Sequence, residues 1–194
     1  MTRGKASLPA SYFEDIFRDD DDPWNLRSSQ YESDKHDHTI SVLPQAPYDQ
    51  ALEVGCAGGT LTRRLAAFCK HLLAIDISEA AIQQAKSALG DLPSVELRTC
   101  AFPEAAPDRT VDLLILSEVV YYWSDDDIAK AARWMIRHVR TGGDLLLVHW
   151  TGQTDYPQQG DRAVEVLAAH MAPHIEVLIQ DRTPLYRLDL WRRR

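Results

Sequence analysis

The stretch ALEVGCAGGTLTRRL, residues 51–65, constrains the fold more than any other part of the chain. A short apolar run ends in Glu53, turns through Gly55, Gly58 and Gly59, and passes into a helical pattern. That succession predicts a strand, a glycine-rich turn and a helix N-terminus, with glycines letting the backbone pass close to a ligand. About twenty residues on, a second apolar run, 72–75, ends in Asp76. An acid at that distance can reach the two hydroxyls of a ribose held over the turn. The expectation is a nucleoside-containing ligand.

From Tyr48 onward the pattern alternates between strand and helix. Strands are expected at 51–54, 72–75, 95–99, 111–116 and 145–150, the fourth of them (VDLLIL) apolar throughout, as in the middle of a parallel sheet. Helices are expected at 60–69, at 79–89 between a Ser78 cap and Gly90, at 125–139 before Gly142 and Gly143, and at 163–171. Two late strands, 176–179 and 185–190, form a hairpin. The order predicts an α/β, doubly wound, seven-stranded and mostly parallel sheet. Residues 1–48 show helical spacing at 9–18 and 28–43 but no strand, and read as a helical N-terminal cap on a core of residues 49–194, all one domain; residues 1–8 are expected to be disordered.

Charge excludes some partners. With 21 basic and 29 acidic residues, a net charge of −8 makes the chain a poor generic binder of phosphate backbones, so no nucleic-acid partner is expected. Arg192, Arg193 and Arg194 read as a frayed, solvated end. Cys56, Cys69 and Cys100 lack metal-ligand spacing and fit reduced thiols in a cytoplasmic protein. No apolar stretch reaches the roughly 20 residues of a membrane span, and no signal-peptide pattern opens the chain. His36-Asp37-His38 lies on a polar helical stretch without matching partners, so a solvated face is expected and no metal.

The turn does not match G-x-G-x-x-G. It carries Glu53 two residues before the first glycine, and a buried acid there would repel a pyrophosphate. S-Adenosylmethionine has no phosphate and is cationic at its sulfonium and ammonium, so the turn and Asp76 together favour it as cofactor. The stretch SEVVYYW, 117–123, follows the apolar fourth strand, at the sheet end where open α/β folds bind ligands. Its aromatic rings can stack on a sugar or shield an ammonium, while Glu118 orients the nucleophile. His149 and Trp150 end the fifth strand on the same rim, which makes His149 a candidate assisting base. Three other readings stay open: an O-methyltransferase on a small hydroxylated acceptor, a nicotinamide oxidoreductase, and a non-catalytic cofactor-binding protein. The first would need a stronger base or a metal. The second would want Tyr-x-x-x-Lys, and Asp125 and Asp126 stand where that lysine would follow Tyr121 and Tyr122.

ALEVGCAGG, LLAIDIS and SEVVYY resemble the nucleotide-site motifs of class I S-adenosylmethionine-dependent methyltransferases. With YFEDIF, DPWNLRSSQYE, VHW and PLYRLDLW added, the chain is similar to the NodS family of N-methyltransferases of nodulation-factor synthesis. The resemblance implies the Rossmann-like class I methyltransferase fold and methyl transfer to a small-molecule or oligosaccharide acceptor, in NodS the amine of a de-N-acetylated chitooligosaccharide. Carried onto this sequence, Gly55, Cys56 and Gly58 would line the methionine portion of the cofactor, with Glu53 and Ser117 nearby. Asp76 would take the ribose hydroxyls, with Ile77 beside the adenine. The family's acid after the third strand is replaced by Ala101, next to Phe102, leaving backbone groups and apolar packing to hold the base. Trp24 and Arg27 follow a break in the cap, and Arg27 would grip the methionine carboxylate. Tyr31 would close over the acceptor, with Tyr122 and Trp150 also lining it. Glu118, Tyr121 and His149 would be the catalytic group.

Overall fold

Each apolar run becomes a strand, and the amphipathic stretches between them become helices. The computed structural model describes residues 6–44 and 47–194. These divide into two compact units, residues 9–100 and residues 101–194 with 6–8.

The first unit holds α1 (Ala10–Asp19), α2 (Gln30–Ser41), β1 (Ala51–Val54), α3 (Thr60–Leu65), β2 (Leu72–Asp76), α4 (Glu79–Leu89) and β3 (Val95–Thr99). β2 lies between β1 and β3, parallel to both, with Val54 opposite Ile75 and Asp76 opposite Thr99. β1 and β2 are buried along their whole length, which is why they read as continuous apolar runs. β3 is largely exposed and carries Glu96 and Arg98, charges that discourage further strand pairing. Ser78 caps α4 by accepting from the Ala81 N–H at 3.1 Å, and Gly90 closes it. From α1, Glu14 accepts from Ser78 Oγ at 2.7 Å and Ala80 N at 3.1 Å, and the Phe17 carbonyl accepts from Gln84 Nε2 at 2.7 Å.

Two expectations change here. The helix predicted over 60–69 stops at Leu65 and finishes as a 3-10 turn, Ala66–Phe68. The polar face of α2 is not solvated: Glu32, Lys35, His36 and Thr39 are buried, with Lys35 paired to Glu32 at 2.8 Å, while Asp37 points to Arg64 on the exposed side. Hydropathy alone does not distinguish a solvated polar face from one buried in paired form.

The second unit holds β4 (Val111–Ser117), α5 (Asp125–His138), β5 (Val139–Trp150), α6 (Gly160–Met171), β6 (Ile175–Arg182) and β7 (Tyr186–Arg193). β4 and β5 are parallel, β7 runs antiparallel beside β5, and β6 lies outside β7. Leu113–Leu116 and Leu145–Val148 are almost fully buried. On β7, Arg187 grips Asp189 through two bonds of 2.8 and 2.9 Å and also meets Asp161 of α6, so the buried charges are paired.

Gly142 and Gly143 do not stop a helix. α5 ends at His138, and β5 starts at once and runs through the glycines with a register shift against β4. Gly142 has φ +80°, and a Cβ on Gly143 would sit 2.9 Å from the Arg140 carbonyl, the signature of a bulge. The arginine end is not frayed either. Arg192 pairs with buried Asp144 at 3.0 Å, Arg193 donates to the Ile136 carbonyl at 3.0 Å, and the Arg194 N–H donates to His174 O at 2.9 Å. Disorder was expected over 1–8. Residues 1–5 lie outside the described residues, but Ser7 Oγ donates to Asp127 at 2.5 Å and Leu8 N to Tyr122 O at 3.0 Å. Among the described residues no helix is long and apolar enough to cross a membrane, and no group of three His, Cys, Asp or Glu is placed to hold a metal.

Candidate active site

The glycine turn is folded back on β2: the Gly55 and Cys56 N–H groups both donate to the Ile75 carbonyl, at 2.8 and 3.0 Å. Left-handed backbone falls at Gly55 (φ +78°), Ala57 (φ +47°) and Gly59 (φ +81°). Gly58, singled out in the sequence, is not in that region, and a Cβ there would meet only Gln84 Oε1 at 3.8 Å. The demanding positions are its neighbours. Ala57 holds a conformation that costs a residue with a Cβ, and its N–H donates to Asp76 Oδ2 at 3.0 Å.

Asp76 is 6% exposed, and its other oxygen accepts from the Ser78 N–H at 2.9 Å. Burial pushes its carboxyl up, and the backbone donors pull it part of the way back. Glu53 is more enclosed, at 1% exposure, with Thr62 Oγ1 donating at 2.6 Å. Burial pushes its pKa to about 7, and the charge of Asp76 adds to the rise. Cys56 was expected to line a ligand, yet its side chain packs in the core with Ala74 and Ile82. Only its backbone is left for that task. Ile77 is half-buried after Asp76. Thr62 and Glu14 escaped the sequence reading: Glu14 meets Ser78 from 64 residues away, and Thr62 reaches Glu53 only once the glycine turn folds α3 back beside β1.

Trp24 packs edge-on to Phe17, ring centres 5.3 Å apart. The Arg27 guanidinium is tied locally, donating to the Asp21 carbonyl at 2.8 Å and pairing with its carboxylate at 3.0 Å. Gripping a ligand carboxylate would mean leaving that pair. Tyr31 lies in the first turn of α2, its ring centre 5.2 Å from Lys35 Nζ.

The second unit gathers the remaining candidates at the ends of β4 and β5. Glu118 follows Ser117 with φ +57°, a strained value for a residue with a side chain. Its Oε2 accepts from Tyr121 Oη and from the Trp150 N–H, both at 2.8 Å. Burial and the charge of Glu118 push the Tyr121 phenol far up, so it serves as a proton-bearing donor. The Tyr122 phenol is likewise pushed far up, by burial first. A third tyrosine, Tyr156, which the sequence reading missed, stacks on Tyr121 at 5.6 Å and meets Tyr122 edge-on at 4.8 Å. The Trp150 ring packs over Gly152, where a Cβ would fall 2.0 Å from the indole.

His149 is not placed as a base. It is fully buried, and its Nε2 accepts from the Val120 N–H at 3.2 Å. A neutral imidazole has one accepting nitrogen, and here it holds the backbone of the Glu118 turn. Phe102 is buried between Trp123 and Trp134, with ring centres 5.6 and 5.2 Å away, and Ala101 beside it is half-buried.

A family model for Nodulation protein S (NodS) matches residues 14–149. The chain belongs to the NodS family. The matched span contains the glycine turn, Asp76, Glu118 and His149, and leaves out Trp150, β6, β7 and PLYRLDLW. Nodulation protein S of Sinorhizobium fredii is 32% identical over 106 residues, 54% of this chain and 49% of that protein. The chain spans about half the length of the curated NodS relatives it matches. Phosphoethanolamine N-methyltransferase of Triticum aestivum is 25% identical over 148 residues, 74% of this chain and 28% of that protein. Among solved structures, the N-methyltransferase NodS from Bradyrhizobium japonicum WM9, in complex with S-adenosyl-L-homocysteine, superposes with a TM-score of 0.82 over 95% of this chain and 97% of that one, at 21% identity. The fold is that of the class I, Rossmann-like methyltransferases: a seven-stranded, mostly parallel sheet with a late antiparallel pair.

Proposed function

We propose that this chain is an S-adenosylmethionine-dependent N-methyltransferase acting on the amine of an amino sugar or de-N-acetylated chitooligosaccharide. The observation that carries the reading is the Glu118 carboxylate, fixed on a strained backbone by two donors, one of them Tyr121, whose ring packs against Tyr122 and Tyr156. NodS-family membership supports it.

The residues at the glycine turn fit the cofactor. Two buried carboxyls, Glu53 and Asp76, disfavour a pyrophosphate and suit a ligand that brings positive charge and a ribose diol. When bound, S-adenosylmethionine supplies an electrophilic methyl group on its sulfonium. Asp76 would hold the ribose hydroxyls, each of its oxygens having acceptor capacity beyond its backbone donor. Glu53 would sit toward the cationic methionine end, where a neighbouring positive charge favours its ionised form. An ammonium has no lone pair, so the acceptor must lose a proton before it attacks. Glu118 binds the ammonium and accepts that proton, while Tyr121 and the Trp150 N–H keep its carboxylate oriented. His149 acts indirectly, by holding the Val120 backbone.

The test pairs two variants. Asp76→Ala is expected to weaken S-adenosylhomocysteine binding about 10- to 100-fold by calorimetry, the value of charge-assisted hydrogen bonds. Glu118→Gln is expected to bind it as wild type does and to lose about 100-fold or more in methyl transfer to de-N-acetylated chitotetraose. Full turnover in Glu118→Gln would remove that residue from the chemistry.

A further inference from the structure

One acid, Glu14 of the YFEDIF stretch, ties α1 to the start of α4 within the first unit. α1 buries Phe13 and Phe17, and Glu14 reaches across to the N-terminus of α4. Its Oε2 accepts from Ser78 Oγ at 2.7 Å and from the Ala80 N–H at 3.1 Å, while Oε1 meets exposed Arg18 at 3.3 Å. A helix N-terminus leaves its first N–H groups without intrahelical partners and favours a negative charge. The Ser78 hydroxyl first, and then the Ala80 N–H, hold the Glu14 carboxyl below its ordinary range, so it stays charged there.

The residue that Glu14 holds also holds Asp76. A hydroxyl carries one proton. Ser78 donates it to Glu14, which leaves Oγ to accept from the Ala81 N–H at 3.1 Å and cap the helix. The Ser78 N–H donates to Asp76 Oδ1 at 2.9 Å, and the Ala57 N–H donates to Asp76 Oδ2 at 3.0 Å. One backbone donor on each oxygen fixes the carboxylate plane and leaves each oxygen a lone pair for a hydroxyl. Asp76 and Ser78 are both buried, so neither has much room to readjust. Gln84 Nε2 donates to the Phe17 carbonyl at 2.7 Å, a second tie that holds α1 along α4. Docking of the helix therefore does not depend on Glu14 alone.

We propose that Glu14 is a positioning residue for the cofactor's ribose: it locks Ser78 at the start of α4, and the Ser78 N–H in turn orients Asp76 toward the two ribose hydroxyls. The proposal rests on the reading of Asp76 as the ribose-binding carboxylate. Glu14 touches no ligand in this role. Its contribution is orientation: a carboxylate free to rotate grips a diol only after losing that freedom, and Glu14 keeps it fixed beforehand. The effect therefore belongs to the diol alone. An adenosine-based ligand without its 2′ and 3′ hydroxyls offers Asp76 nothing to grip, and the state of Glu14 makes no difference to it.

The experiment is calorimetric titration of the full chain with S-adenosylhomocysteine and with its 2′,3′-dideoxy analogue, in wild type, Glu14→Ala and Glu14→Gln. Wild type is expected to prefer the diol ligand about 10- to 100-fold, as hydrogen bonds to a carboxylate provide. Glu14→Ala should lose about 5- to 10-fold of that preference. All of the loss is expected in the diol ligand, with the dideoxy analogue bound as in wild type. Glu14→Gln keeps an oxygen for Ser78 but no charge, so a smaller loss in the same ligand is expected. That variant carries the test if Glu14→Ala does not fold. A Glu14 that only docks α1 would weaken both ligands alike, and that result overturns the proposal, as does an unchanged preference in both variants. A wild type that binds the two ligands equally would instead end the ribose reading of Asp76, and the proposal with it.

Discussion

A carboxyl that is half-protonated near neutral pH is costly to keep charged, and Glu53 makes the cost measurable. Burial moves its pKa from the ordinary 4.5 to about 7 in the folded protein. The folded form binds this proton more tightly than the unfolded chain does, so stability falls as pH rises between those two values and levels off above the higher one. The shift corresponds to about 3 kcal/mol. Glu53→Gln keeps a group that can accept from Thr62 and carries no charge. Urea unfolding at pH 5 and pH 8 should show that loss in the wild type and remove it in the variant. Glu53 and Asp76 were legible because each ends an apolar run. Tyr156 was not: it stands in the polar stretch TGQTDYPQQ, and only the folding of that loop brings it to Tyr121 and Tyr122. His149 was legible in place but not in role, since the Val120 N–H that occupies its acceptor nitrogen is 29 residues away in sequence.

Among the elements, the α3–α4 contact depends on Gly59. Its φ of +81° lies in the region that side chains avoid, and a Cβ would approach Leu89 of α4 to 3.1 Å. Gly59→Ala should therefore cost about 1–3 kcal/mol, from backbone strain and crowding together. Chemical denaturation should read this directly, and Gly58→Ala, whose Cβ would make only an ordinary contact with Gln84 Oε1 at 3.8 Å, serves as the comparison. Strands read well from the sequence because β1, β2 and β4 are buried on both faces and leave an unbroken apolar run. The first half of β5 was hidden by its own bulge, since paired glycines signal a helix stop and a strand irregularity equally well. The extent of β7 was hidden for another reason. Its last arginines look solvated until Asp144 and the carbonyls of Ile136 and His174 come into range.

At the scale of the whole molecule, the chain is discontinuous in how it builds its two units. Residues 6–8 belong with residues 101–194, although 92 residues of the other unit separate them in sequence (9 through 100). Ser7 joins that unit through both roles of its hydroxyl, donating to Asp127 and accepting from the Ser124 N–H at 2.8 Å. Ser7→Ala should cost about 1 kcal/mol, lowering the thermal midpoint by about 2–4 °C for a chain of this length. A scanning calorimeter would resolve that shift. The position of β7 has its own consequence, for the order of events in synthesis. Among the described strands it comes last in sequence, yet it lies between β5 and β6. Until it emerges, β5 presents a bare edge and β6 has no partner, so this half of the sheet closes only once β7 has been made. A nascent chain stalled short of Tyr186 would carry two unpaired strand edges, the kind of surface that chaperones shield and that aggregates grow on.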